Sequence, residues 1–61
     1  MLETQWGAEK RWVVTSEKEA LSMIEQEMPE TDAQATYAYI VERLKSTKIV
    51  TLGSCRFRLK P

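Results

Sequence analysis

Histidine is absent from this 61-residue sequence, and cysteine occurs once, at position 55. One thiol cannot close an intramolecular disulfide, and a zinc site built from Cys and His clusters is excluded. With no imidazole there is also nothing of that kind to activate Cys55 as a nucleophile. Glycine is scarce: Gly7 stands alone and Gly53 sits between two apolar runs, so no glycine-rich loop exists to cradle phosphate. No apolar run is long enough to cross a membrane. The opening Met1–Trp6 has neither the basic lead nor the apolar stretch of a secretory signal. These absences predict a non-enzymatic cytoplasmic domain with no cofactor and no metal. The lone thiol fits a reducing compartment.

Acidic residues are also missing, but only from one end. Residues 43–61 carry six bases (Arg43, Lys45, Lys48, Arg56, Arg58, Lys60) and no acid, a net of +6. Residues 1–42 carry nine acids against three bases, a net of −6. The whole chain is neutral. Such a split bears on partners and association rather than on fold. A chain this short buries only roughly 60% of its unfolded surface. Lacking a disulfide or metal, it must be held by packing or by association, so a homodimer is one expectation.

The stretch Lys48–Lys60 reads as a β-hairpin. Two runs rich in β-branched and aromatic residues flank Gly53-Ser54, and glycine at the first loop position suits a II′ turn. With that loop Leu52 faces Cys55 and Val50 faces Phe57. Val50, Leu52, Cys55, Phe57 and Leu59 then share an apolar face, while Ile49, Thr51, Arg56, Arg58 and Lys60 share a basic one. A one-residue slip would destroy this separation.

Upstream, residues 1–9 lack a clear period and read as a lead-in, with Trp6 tucked against the core, ahead of a single domain over 10–61. Lys10–Thr15 reads as a short strand, with Trp12 and Val14 on one face and Arg11 and Val13 on the other. Ser16-Glu17-Lys18-Glu19 is a capping box opening a helix. Its apolar stripe is Ala20, Leu21, Ile24 and Met28, with Met23 off the stripe and Pro29 ending it. A second helix starts at Thr31 or Asp32, with Ala33, Tyr37, Ile40, Val41 and Leu44 as its stripe. The expected fold is α+β, in the order β-α-α-β-β: a helical hairpin on a three-stranded antiparallel sheet. The expected core is Trp12, Val14, Leu21, Ile24, Met28, Tyr37, Ile40, Leu44, Val50, Leu52, Phe57 and Leu59. The first strand is placed beside the last.

Paired carboxylates such as Glu25 and Glu27 stand at i,i+2 and do not face each other on a helix, so they form no acid–base pair. Binding is the remaining class, and three surfaces present themselves. The outer sheet face would gather Arg56, Arg58 and Lys60 with Arg11, Val13, Ile49 and Thr51, a mixture suited to phosphate contacts. Alternating cations on a strand also serve solubility and edge protection. Helix 2 presents Gln34, Thr36, Tyr39 and Arg43. The acidic first helix, with Glu25 and an exposed Met23, could dock a basic protein, although charge runs on helices are commonly only solvated.

The order helix, short turn, helix, basic hairpin over residues 11–60 resembles the winged-helix arrangement. That resemblance implies that the second helix enters a DNA groove and the hairpin, with Lys48, Arg56 and Arg58, acts as a wing. The chain departs from it in lacking a leading helix and in the acidity of helix 1. The same order is similar to the histone-like HU proteins, whose glycine-aromatic-glycine hairpin start is absent at Leu52-Gly53-Ser54-Cys55. The expectation is a small regulatory module binding DNA or RNA through Arg43, Lys48, Arg56, Arg58, Lys60, Gln34, Thr36 and Tyr39. The alternative is a protein–protein interaction module, homodimeric, docking through Arg11, Val13, Ile49 and Thr51 or through Met23 and Glu25.

Overall fold

Local capping sets the two helices. A computed structural model describes residues 1–60, and in it Ser16 caps α1, Glu17–Glu27, in the expected reciprocal way. The Glu19 amide donates to Ser16 Oγ at 3.1 Å, and the Ser16 amide donates to Glu19 Oε1 at 3.1 Å. Asp32, rather than Thr31, caps α2, Ala33–Arg43, accepting from the Gln34 and Ala35 amides. Thr31 instead donates its hydroxyl to the Met28 carbonyl across the interhelical turn.

The sheet has four strands, not three. They are β1 (Leu2–Trp6), β2 (Val13–Val14), β3 (Val50–Leu52) and β4 (Cys55–Leu59), in spatial order β2-β1-β4-β3 with every neighbouring pair antiparallel. The additional strand lies within residues 1–9, read from sequence as a lead-in. It occupies the sheet interior, paired from Leu2↔Leu59 to Trp6↔Cys55. The expected adjacency of the Lys10–Thr15 strand and the last strand is corrected accordingly: β2 pairs with β1 through Glu3↔Val14 and Thr4↔Val13. A buried Thr4–Thr15 hydroxyl pair at 2.7 Å closes this junction. The hairpin forms in the expected register, with Val50↔Phe57, Thr51↔Arg56 and Leu52↔Cys55. Gly53 has φ 58° and no other described residue has positive φ, as a II′ turn requires. The hairpin is no projecting wing, because β4 is held between β1 and β3.

Both helices cover one sheet face. Leu2, Cys55 and Phe57 from the sheet meet Ala20, Ile24, Ile40 and Leu44 from the helix layer, with Trp6, Met23, Ala33, Tyr37, Val50 and Leu52 packed around them. Met23 thus joins the core margin instead of standing exposed. The α1 stripe is Ala20, Met23 and Ile24, rotated towards Glu27 and away from Met28, which is exposed. Four further expected core residues are displaced: Val14 is 54% exposed, Leu59 is exposed, Leu21 is only partly buried and stands outside the core cluster, and Trp12 lies on the opposite face of the sheet. The face parity of the Lys10–Thr15 segment is therefore inverted. Val14 pairs with Glu3 on the outer face, and Val13, opposite Thr4, points to the helix side.

Candidate binding face

Strand alternation builds the helix-free face from polar residues. On β1, Glu3 and Gln5 point away from the helices because Leu2, Thr4 and Trp6 point towards them. On β4, Arg56 and Arg58 do the same between Cys55, Phe57 and Leu59. Register then sets two rows across the sheet: Val14, Glu3 and Arg58 in one, Gln5, Arg56 and Thr51 in the other. Trp12, just before β2, lays its indole over both rows. Its ring centroid is 4.3 Å from the Arg58 guanidinium carbon and 5.9 Å from that of Arg56. Arg58 Nε donates to Glu3 Oε1 at 2.7 Å. The guanidinium thus neutralises a carboxylate of a residue only 5% exposed while also facing an aromatic ring. Gln5, likewise 5% exposed, has a buried Oε1 with no hydrogen-bond partner among the described residues.

Arg58 links this face to a cleft at the sheet edge. Strand β3 pairs with β4 only as far as Val50↔Phe57, so the chain before it diverges from the end of β4. The gap holds a cleft of about 650 Å³ lined by Leu44, Thr47, Lys48, Ile49, Arg58, Leu59 and Lys60. Its wall is apolar at Leu44, Ile49 and Leu59 and cationic at Lys48, Arg58 and Lys60. Among the described residues the ion pairs are Lys45–Glu42 and Arg58–Glu3, which leaves Lys48, Lys60 and Arg56 free of acidic partners.

Four of the residues expected to bind nucleic acid, Lys48, Arg56, Arg58 and Lys60, therefore meet on the outer face and its adjoining cleft. Gln34, Thr36, Tyr39 and Arg43 belong to the helix layer on the far side of the sheet. Thr36, Tyr39 and Arg43 share a helix flank at i, i+3 and i+7, and Gln34 falls off it. Of the residues considered for a partner protein, Thr51 lies on the outer face, Ile49 lines the cleft and Val13 faces the helix side. Arg11 and Glu25 are exposed, and Met23 is partly buried. Sequence reasoning missed Glu3, Gln5 and the placement of Trp12. The signal was the alternation Leu2-Glu3-Thr4-Gln5-Trp6, a period of two with every second residue suited to one face.

The remaining polar cluster is structural. Glu27 Oε1 accepts from the Ser54 amide at 2.8 Å and from the Ser54 hydroxyl, tying the end of α1 to the hairpin turn. These Ser54 bonds, the hydroxyl foremost, hold the Glu27 carboxyl below the usual carboxylate range. Burial, then the nearby Glu27 charge, pushes the Cys55 thiol up to about 11, far from the thiolate a nucleophile needs. No helix among the described residues is long and apolar enough to cross a membrane. Compared with family models, curated proteins and solved structures, the chain matches none.

Proposed function

We propose that this chain is a small non-enzymatic module that binds nucleic acid through the helix-free side of its sheet. The observation that carries the reading is the collection of Lys48, Arg56, Arg58 and Lys60 on that side and its edge cleft, where among the described residues Glu3 is the one carboxylate paired to them. Cations projecting from a strand ribbon act as point contacts to phosphates, positioning the ligand without reading its sequence. The acidic α1 lies on the other side of the sheet, which lowers its repulsion of a polyanion bound here. This narrows the sequence-based expectation, because α2 and the outer sheet face are separated by the sheet and do not line one groove.

The test is an NMR titration of the intact chain with a short duplex and with a single strand, at low and at moderate salt. Hairpin amides of residues 48–60 should shift, with affinity falling steeply as salt rises. No shift of any hairpin amide at low salt ends this reading. The protein-docking alternative rests on exposed Val13, Val14 and Ile49, which stand on or beside the two edge strands. Sedimentation that returns a dimer mass, with hairpin amides indifferent to nucleic acid, would favour it.

A further inference from the structure

Gln5 carries a buried side-chain oxygen with no partner among the described residues, directly on the face that Trp12 and the arginines occupy. Leaving such an acceptor unsatisfied is costly, and a native structure with one calls for a reason. The reason here is positional: by register Gln5 stands opposite Arg56, in the row over which the Trp12 ring leans. Trp12 is only partly buried, so the ring keeps a surface that the Arg58 guanidinium does not occupy. A ligand satisfying all of this has a flat ring to stack on Trp12, an N–H donor on its edge for Gln5 Oε1, and anionic groups for Arg56 and Lys60. A nucleotide within a strand has all three. In a duplex the base faces are stacked and much of the donor edge is paired, whereas in a single strand both are free.

We infer that the outer sheet face binds single-stranded nucleic acid, with one base stacked on Trp12 and its exocyclic amine donating to Gln5 Oε1. The inference rests on the nucleic-acid reading above and deepens it. Gln5 Oε1 is buried as the sheet stands, so the proposed complex requires the Trp12 ring to turn aside far enough for the base edge to reach it. The hydrogen bond formed there satisfies a group that has no partner among the described residues, so the gain is larger for a base that carries an amine than for one that does not. The bases bearing an exocyclic amine are adenine, cytosine and guanine; thymine offers only its ring N3–H, recessed between two carbonyl oxygens that would repel Gln5 Oε1.

The experiment uses the full chain with Trp6→Phe, which leaves Trp12 as the one indole, and strands of about eight nucleotides, within the range of small single-strand sites. Oligo(dC) should quench or shift Trp12 emission. An abasic strand of equal length should bind about ten-fold more weakly, the scale of one lost base stack. Oligo(dT) should bind about five-fold more weakly than oligo(dC), the scale of one hydrogen bond. Gln5→Leu removes the orphan oxygen at similar volume and should erase the difference between oligo(dC) and oligo(dT) while keeping the difference from the abasic strand. Trp12→Leu in the otherwise natural chain, with affinity read from the hairpin amide shifts, should remove the difference between oligo(dC) and the abasic strand; if it fails to fold, Trp12→Phe retains a ring and should keep part of that difference. Equal affinity for oligo(dC), the abasic strand and a duplex, with Trp12 emission unmoved, overturns the inference while leaving phosphate binding intact. A preference for oligo(dC) that survives Gln5→Leu overturns the assignment of Gln5. Absence of any hairpin amide shift with every strand overturns the underlying reading as well.

Discussion

Glu27 does more for this domain than an acidic residue at a helix end ordinarily does. A negative charge there opposes the helix dipole. It is kept because its carboxylate receives the Ser54 amide and hydroxyl and so fixes the hairpin turn against α1. Gly53 completes the fit: its φ of 58° suits glycine, and a Cβ there would meet the Glu27 carboxylate at 3.2 Å. Gly53→Ala should cost about 1–2 kcal/mol, the usual penalty for a left-handed L-residue, seen as a lower urea midpoint at unchanged slope. Because folding lowers the Glu27 pKa, its contribution is full above the ordinary carboxylate range and is lost as pH falls through the folded-state value. Glu27→Gln should therefore flatten the acid limb of the stability–pH curve. Cys55 works in the opposite sense. Its thiol is raised to about 11, so its contribution is full below the ordinary thiol value and disappears as pH climbs towards about 11. At neutral pH a thiol reagent should modify Cys55 only as fast as the domain opens.

Among the elements, those specified by neighbours in sequence were legible in the sequence. The Ser16–Glu19 capping box, the stop at Pro29 and the Gly53-Ser54 turn each depend on a few consecutive residues, and each formed as expected. Strand β1 was not legible in the same way. Its Glu3, Thr4 and Gln5 are polar, and they are buried only because β2 and β4 arrive from elsewhere in the chain to flank them. The expected parity of Val13 and Val14 is inverted in the structure for a related reason. Two adjacent valines contain no period, and the tie is broken by Thr15 meeting Thr4 on one side and Trp12 meeting the arginines on the other. At this scale Leu44→Ala should cost about 2–5 kcal/mol, since Leu44 is buried at the α2 terminus under β4. An unchanged denaturation midpoint would contradict its place in the core.

Taken as a whole, the molecule measures 30 × 25 × 17 Å, one sheet layer and one helix layer thick. The neutral total conceals a basic sheet side and an acidic α1 behind it. Lys48→Gln and Lys60→Gln are cleaner probes of phosphate binding than Arg58→Ala, which also strips the partner from buried Glu3. Each lysine substitution should weaken binding to all strands about equally and flatten the plot of log affinity against log salt by roughly 0.7–0.9. Arg58→Ala should in addition lower stability, by less than a fully buried pair would because Arg58 is partly exposed.

The pairing of β1 with β4 joins residues 2–6 to residues 55–59, nearly the full length of the chain. The Lys60 amide also donates to the Met1 carbonyl at 2.7 Å. In folding, the hairpin and both helices can form from near neighbours, but the central strand pair must wait for the longest loop closure available to this sequence. On loop-closure grounds the formation of that pair should be the slowest step of folding. A circular permutant with a short Gly/Ser bridge from Pro61 to Met1, opened at the exposed turn between Glu30 and Thr31, converts the pair into a local hairpin. It should refold faster than the natural order while making the same sheet, because the slowest contact has become one of the nearest.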